Sequence, residues 1–156
     1  LHIGVTEAGT LRTGLVKSAI GIGTLLSEGI GDTIRVSLST NVCEEVLAGK
    51  KILQTLGLRK NAVEVVACPT CARTEIDVEG LANKVETMTA GINKPLKISV
   101  LGCPLNGIGE GEHSDLGIAG GKEKSVILLH GKIYKTVPSE RLMQEFEKIL
   151  QDVLSN

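Results

Sequence analysis

The chain has 156 residues, enough for one ordinary domain or for a compact domain joined to a piece of another. Its 17 basic and 18 acidic side chains leave a formal net charge of -1, so charge gives no reason to expect binding to nucleic acid or to an anionic membrane. Tyr134 and Phe146 are the only aromatic residues. The core must therefore be built from aliphatic side chains and many glycines, which favours layered α/β packing.

The most apolar stretch, residues 18–30, is interrupted by Glu28 and by glycines and is shorter than the roughly 20 apolar residues of a membrane span. No basic segment followed by an apolar one opens the chain, so we expect a cytoplasmic protein without a membrane anchor. The first residue is Leu1, and a strand pattern starts at once. We therefore expect the chain to be cut from something longer.

The first 59 residues have the pattern of two parallel β/α units. A strand is predicted at residues 2–6, a helix at 15–28 that ends at glycines, and a strand at 32–38. A second helix ends at Gly57, with an apolar face of Val42, Val46, Gly49, Leu53 and Leu56. Two such units leave unpaired strand edges, which predicts further strands upstream in a barrel or a larger sheet.

The pattern changes after Arg59, and residues 60–156 are predicted to form a small α+β domain. A strand at 62–67 runs into Cys-Pro-Thr-Cys, and Asp77 is placed to cap a helix with Val78 and Val85 on its apolar face. A strand at 97–101 leads to Gly102 and Cys103, and residues 106–111 are expected to be irregular because they are rich in glycine.

The last part of the chain is predicted to contain two more strands and a helix. The strands lie at 116–119 and 125–129 and precede a hairpin-like turn at Gly131. The final helix is predicted to begin at Pro138 and to bury Leu142, Phe146, Ile149, Leu150 and Val153 at helical spacing.

Three cysteines follow the ends of two apolar strands. Cys68 and Cys71 form a C-x-x-C in which both sulfurs can point at one soft metal site, and Cys103 follows the next strand. If these strands are neighbours, the three thiolates converge at one edge of a sheet. Glu110 is the candidate for the fourth ligand, and a carboxylate holds iron less firmly than a thiolate, so it could give way to a substrate oxygen.

Two other interpretations of the cysteines remain open on the residues alone. A structural zinc site would need a fourth ligand such as His113, because the chain has no second C-x-x-C. A thiol–disulfide function is also compatible with a single C-x-x-C. A module that only transfers electrons, or that zinc stabilises, is therefore the rival to an enzyme.

Four stretches of the sequence, in the same order along the chain, closely resemble one protein family; they are residues 1–9, 25–38, 67–71 and 102–110. Residues 116–122 continue the resemblance. The family is the hydroxymethylbutenyl diphosphate synthases of the methylerythritol phosphate route to isoprenoids. The resemblance implies the last two β/α units of a TIM-type barrel at residues 1–59, followed by an iron–sulfur domain similar to those of sulfite and nitrite reductases at 60–156.

The resemblance also implies the chemistry. The family opens 2-C-methyl-D-erythritol 2,4-cyclodiphosphate and removes a hydroxyl with electrons from ferredoxin or flavodoxin, in a homodimer where the cluster of one chain closes over the barrel of the other. Its [4Fe-4S] cluster has three cysteine ligands and one glutamate ligand, which correspond here to Cys68, Cys71, Cys103 and Glu110. A chain with only part of the barrel is expected to be inactive alone.

The likeness further assigns three residues of the barrel part. It places Arg35 and Ser37 at the diphosphate and Glu7 beside the departing hydroxyl, where a carboxyl group could donate a proton. By the period of two, Arg35 and Ser37 share one face of their strand. The alternatives on the residues alone are that Arg35 forms a structural ion pair, that Ser37 only occupies a position in the strand, and that Glu7 is a loop carboxylate without a catalytic role.

Some residues depart from the family pattern or have no part in it. Ile108 stands where the family commonly has proline, which is expected to loosen the loop that carries Glu110. Cys43 lies outside the cluster motifs and is interpreted as a spectator, and His2 and His130 are interpreted as surface or packing residues.

Overall fold

The chain divides into two compact units, Leu1–Lys60 and Asn61–Asn156. The fold is that of a computed structural model, which describes residues 1–155, apart from the side chain of Asn106. Among the helices of these residues, none combines the length and the apolar character needed to cross a membrane.

The first unit is made of two strands and two helices. They are β1 (His2–Gly4), α1 (Leu11–Ser27), β2 (Thr33–Arg35) and α2 (Val42–Thr55). Strands β1 and β2 pair in parallel, with Ile3 opposite Ile34, so the predicted β/α arrangement is confirmed. Ile34, Val36 and Ile52 belong to the small apolar core between this pair and the helices.

Several bounds and one helix face of the first unit differ from the prediction, and β1 ends at Gly4 rather than at residue 6. Helix α1 begins at Leu11 rather than at residue 15, and β2 ends at Arg35 rather than at residue 38. The predicted face of α2 is wrong at its start, since Val42 is 71% exposed while Ala48 and Ile52 are buried. Packing on β2 decides which face is buried, and apolar spacing along the helix does not.

The second unit is built on a five-stranded sheet. In spatial order its strands are β3 (Val63–Ala67), β4 (Leu96–Leu101), β5 (Leu116–Ala119), β6 (Lys124–Leu129) and β7 (Lys132–Pro138). The first three strands are parallel, and β5, β6 and β7 form an antiparallel meander. Helices α3 (Val78–Thr89) and α5 (Leu142–Ser155) contribute Val85 and Phe146 to a core with Ile98 and Ile118.

Turns and caps in the second unit follow the sequence closely. The Asp77 carboxylate accepts the N–H of Gly80 at 2.9 Å and caps α3, as predicted. His130 and Gly131 have φ of 49° and 73°, the left-handed pair of a type I′ turn, so the predicted hairpin turn is confirmed.

The last helix begins later than predicted. Pro138 ends β7, a 3-10 turn covers Ser139–Arg141, and α5 begins at Leu142. Pro138 pairs with Lys124 and so belongs to the sheet, at the last position of an edge strand. Its lack of an N–H costs the sheet little hydrogen bonding there. Leu142, Phe146, Ile149 and Leu150 are buried as predicted, and Val153 packs against the same core.

The expectation that residues 106–111 are irregular is wrong. Pro104–Glu110 forms helix α4, with proline in the first turn, where its fixed φ suits a helix. Gly107 lies so close to β5 that a Cβ there would stand 2.7 Å from the Cβ of Ala119. Close packing against the sheet, which only glycine allows, therefore outweighs the low helix propensity of this segment.

Candidate metal centre

The cysteine motifs follow two strands that end at the same edge of the second sheet. Strands β3 and β4 are parallel neighbours with Ala67 opposite Val100, so Cys68 and Cys103 both follow carboxyl ends of strands. The N–H of Cys68 donates to Val100 O at 3.2 Å, and the N–H of Gly102 donates to Cys68 Sγ at 3.1 Å. The condition set by the sequence, that the two strands be neighbours, is met.

A third loop leaves this edge after β5. The N–H of Gly120 donates to Leu101 O at 2.8 Å, which holds the start of the loop against the end of β4. Gly121 and Lys122 continue the loop. We call the segments 68–76, 102–104 and 120–123 the three edge loops.

The three cysteines at the edge differ in exposure. All are free thiols; Cys71 is exposed, Cys68 is half-buried against the core and Cys103 is 7% exposed. The backbone N–H of Arg73 does most to lower the pKa of the Cys71 thiol, and the Thr74 hydroxyl and the Arg73 charge add to this, while desolvation opposes it. A lowered pKa favours the thiolate, which is the form that binds metal.

Glu110 lies at the far end of α4 from Cys103. It is the last residue of α4 and exposed, whereas Cys103 is the N-cap of the same helix. At 1.5 Å per residue the two Cα atoms are about 10 Å apart along the helix. Among the residues described, no group of three or more His, Cys, Asp or Glu side chains is arranged to hold a single metal ion. Glu110 as a ligand stays a prediction.

The donor chemistry of the edge fits an iron–sulfur cluster. Thiolates are the usual ligands of such clusters, and each binds a different iron, so the ligands surround a larger object than one ion. The N–H of Gly102 is directed at Cys68 Sγ, and hydrogen bonds to sulfur ligands are among the features that set the reduction potential of a cluster. His113, the alternative fourth ligand of a zinc site, is exposed in the 3-10 turn Gly111–His113.

Sequence reasoning missed Glu75, which connects all three edge loops. Its N–H donates to Gly102 O at 2.8 Å, and its carboxylate Oε2 accepts the N–H of Lys122 at 2.7 Å. The signal in the sequence is weak: an acidic residue between the C-x-x-C and the cap of the next helix, with no place in the helical apolar pattern.

The predicted substrate residues lie at the carboxyl ends of β1 and β2. Arg35 is the exposed last residue of β2, and its Nη2 donates to Thr6 Oγ1 at 3.3 Å, next to Glu7. Glu7 is exposed and has a φ of 57°, a left-handed conformation that is uncommon outside glycine and found often at functional sites. Ser37 is half-buried and alternates with buried Val36, as predicted.

Comparison with known proteins identifies the family. The model described as "GcpE TIM-barrel domain" matches residues 1–50, and that described as "GcpE protein C-terminal domain" matches residues 64–152. Three relatives share the name 4-hydroxy-3-methylbut-2-en-1-yl diphosphate synthase (flavodoxin). The chain is a member of the GcpE family, which confirms the resemblance drawn from its motifs.

The relatives cover almost all of this chain. The protein of Caldanaerobacter subterraneus subsp. tengcongensis is 56% identical over 99% of it, that of Clostridium acetobutylicum 52% over 98%, and that of Geobacillus thermodenitrificans 49% over 95%. The matched regions are 43%, 44% and 40% of those proteins, so the chain spans about two fifths of their length.

Proposed function

We propose that this chain is the C-terminal part of a reductive dehydroxylase of isoprenoid biosynthesis. It would serve the conversion of 2-C-methyl-D-erythritol 2,4-cyclodiphosphate to 4-hydroxy-3-methylbut-2-enyl diphosphate, the product in its relatives' name. Residues 1–59 would complete a TIM-type substrate barrel, and residues 60–156 would form a cluster domain similar to those of sulfite and nitrite reductases. The observation that carries the proposal is the meeting of Cys68 and Cys103 at adjacent strand ends.

The cluster ligands in this proposal are Cys68, Cys71, Cys103 and Glu110. When bound, a [4Fe-4S] cluster would supply the electrons that the reduction needs. Cys103 and Glu110, about 10 Å apart along α4, would bind different irons of the cluster. Any adjustment of the end of α4 on cluster binding would be inexpensive, because α4 has only 7 residues and two of them, Gly107 and Gly109, favour the unfolded chain.

The barrel part would bind the charged end of the substrate. The guanidinium of Arg35 is exposed at the strand end and suits a diphosphate, to which it can donate two parallel hydrogen bonds. The Ser37 hydroxyl would add a neutral hydrogen bond on the same face. The carboxyl group of Glu7, fixed in its left-handed turn, would donate a proton to the departing hydroxyl.

The partners in this proposal follow from the family. The relatives' name specifies flavodoxin as electron donor, and ferredoxin is the alternative. The active form would be a cytoplasmic homodimer of the complete protein, in which the cluster of one chain closes over the barrel of the other, with no nucleic acid and no membrane involved. The present chain alone would bind the cluster without turning over.

Anaerobic reconstitution of this chain tests the proposal. We expect about four iron and four sulfide per chain and an electron paramagnetic resonance signal on reduction. Cys103→Ser should lose both, while Cys43→Ser, which changes an exposed cysteine of the other unit, should keep them. Bound zinc without a reducible cluster would instead establish the zinc-stabilised alternative.

A second experiment tests the role of Glu110 in catalysis. In a complete enzyme that carries this C-terminal part, Glu110→Cys should keep the cluster or strengthen it and should abolish activity, because a thiolate does not give way to a substrate oxygen as a carboxylate does. Undiminished turnover would show that exchange of this ligand is not needed.

A further inference from the structure

We propose that Glu75 is a positioning residue of the cluster site, which sets the distances between the cysteine-bearing edge loops. The inference rests on the proposed function, because it concerns where the thiolates stand when a cluster binds. Glu75 is not a ligand in this account. It acts through Gly102 and Lys122, to which its backbone and its side chain are bonded.

The hydrogen bonds of Glu75 converge on the cysteines. Gly102 accepts from the N–H of Glu75 through its carbonyl oxygen and donates its own N–H to Cys68 Sγ, at 2.8 and 3.1 Å. Cys103 is the next residue along the chain. A displacement of Glu75 relative to Gly102 therefore changes the placement of Cys68 and Cys103 together.

The carboxylate of Glu75 holds the third edge loop. Oε2 accepts the backbone N–H of Lys122 at 2.7 Å, a charge-assisted bond from a residue 47 positions away in the chain. The start of that loop is bonded in turn to the end of β4, through the N–H of Gly120 and Leu101 O. The carboxylate thus closes a ring of contacts around the edge.

The two chain neighbours of Glu75 pack closely against glycines of the other edge loops. A Cβ on Gly102 would stand 3.0 Å from Thr74 Cγ2, and a Cβ on Gly120 would stand 2.1 Å from Ile76 Cδ1. Thr74 and Ile76, on either side of Glu75, therefore press against the other two edge loops. These contacts fix the backbone of Glu75, whose own side chain is exposed, between the other two edge loops.

The test compares three variants of this chain after anaerobic reconstitution. Glu75→Ala removes the acceptor, Glu75→Gln keeps a neutral one, and Glu64→Ala is a matched control at an exposed glutamate on β3. In competition with an iron chelator, Glu75→Ala should hold iron about tenfold less tightly than wild type, the low end of the effects of outer-shell residues, because the lost bond to Lys122 acts on the cysteines only through the edge loops. Glu75→Gln should recover most of this loss, and Glu64→Ala should match wild type.

Two further readouts separate positioning from general stability. The resonance spectrum of the reduced cluster should change shape in Glu75→Ala and return toward wild type in Glu75→Gln. In the metal-free chain, the amide of Lys122 should exchange about tenfold faster in Glu75→Ala, while the amides of β5 and β6 keep their protection. That protection would show that the variant folds.

The outcomes are distinct. Wild-type affinity and an unchanged spectrum in Glu75→Ala would overturn the inference and leave the proposed function standing. Unchanged exchange of the Lys122 amide would overturn it as well, because the carboxylate would not be holding the loop. Failure of the wild-type chain to take up iron and sulfide would remove the proposed function and this inference with it.

Discussion

The two units of this chain bury their apolar side chains to very different degrees. In the second unit, Ile98, Leu116, Ile118, Ile127 and Phe146 are fully buried. The first unit leaves large apolar side chains of both helices exposed, such as Val16 (59%) and Ile20 (65%) on α1 and Val46 (56%) on α2. Its sheet has two strands, against five in the second unit.

Local sequence pattern and complete burial are therefore separate properties of a unit. Both units have the β/α order and parallel pairing that their sequences predict. The second unit has a core of fully buried aliphatic residues, although Leu105 and Ile133 are exposed, so its stability is expected to come from its own core. The first unit shows a correct local pattern together with helix faces that its two strands do not cover.

The largest effect is expected from Phe146→Ala, because Phe146 is 0% exposed at the centre of the second core. The cavity left behind should lower the free energy of unfolding of this unit by about 3–5 kcal/mol. Urea unfolding followed by amide exchange, unit by unit, measures this. Tyr134→Ala, at a side chain that is 57% exposed, is the aromatic control. Equal loss of protection in β1 and β2 would contradict the division into two units.

A smaller effect is expected at the helix caps, which differ between the units. Asp77 caps α3 with a side-chain hydrogen bond, whereas Thr10, at the N-cap of α1, makes none. Asp77→Ala should therefore lower the free energy of unfolding of the second unit by about 1 kcal/mol. Thr10→Ala should change the first unit by much less. Thermal melts of both variants check the comparison, and an equal cost would break it.

Gly109→Ala tests whether α4 must unwind for Glu110 to reach the cluster. A Cβ there meets nothing within 4 Å, so alanine should stabilise the helix by up to about 1 kcal/mol. If Glu110 binds iron only after leaving the helix, cluster affinity should fall by about fivefold for the same reason. Gly23→Ala in α1, also with open space, is the control. Stronger cluster binding in Gly109→Ala would show that the helical form is the binding form.

The smallest effect concerns pH. A hydrogen bond from Lys135, and a weaker contribution from a hydrogen bond of Lys148, lower the pKa of Glu145 from 4.5 to about 2. Because folding lowers this pKa, the stability it contributes is present above about pH 4.5 and is lost as the pH falls toward 2. The difference in Tm between wild type and Glu145→Gln should therefore shrink over that window. It should be modest throughout, since Lys135 is 49% exposed and Lys148 61% exposed. Glu147→Gln, on the same helix, is the control for the substitution itself.

Much of the fold could be predicted because its signals are local. The cap at Asp77 and the turn at Gly131 depend on residues next to them in the chain. Neither prediction needed knowledge of distant contacts. On the sequence alone, the convergence of Cys68 and Cys103 was conditional on their strands being neighbours, and the pairing of β3 with β4 meets that condition.

The predictions that were wrong depended on distant contacts. Helix α4 exists because Gly107 packs on Ala119, which the glycine content of the segment conceals. Val42 has the spacing of a core residue but lies on the solvent side of α2, because β2 packs against another face. Glu75 was missed because its two partners, Gly102 and Lys122, lie far away in sequence.

The opposite edge of the second sheet offers a place for a label. Gly91 lies in the exposed connection between α3 and β4, with open space around it. Strand β4 has 6 residues, and at about 3.3 Å per residue it puts some 20 Å between that connection and Cys103. A short peptide tag inserted at Gly91 would thus allow the protein to be anchored on a surface under anaerobic conditions with its cysteines left clear.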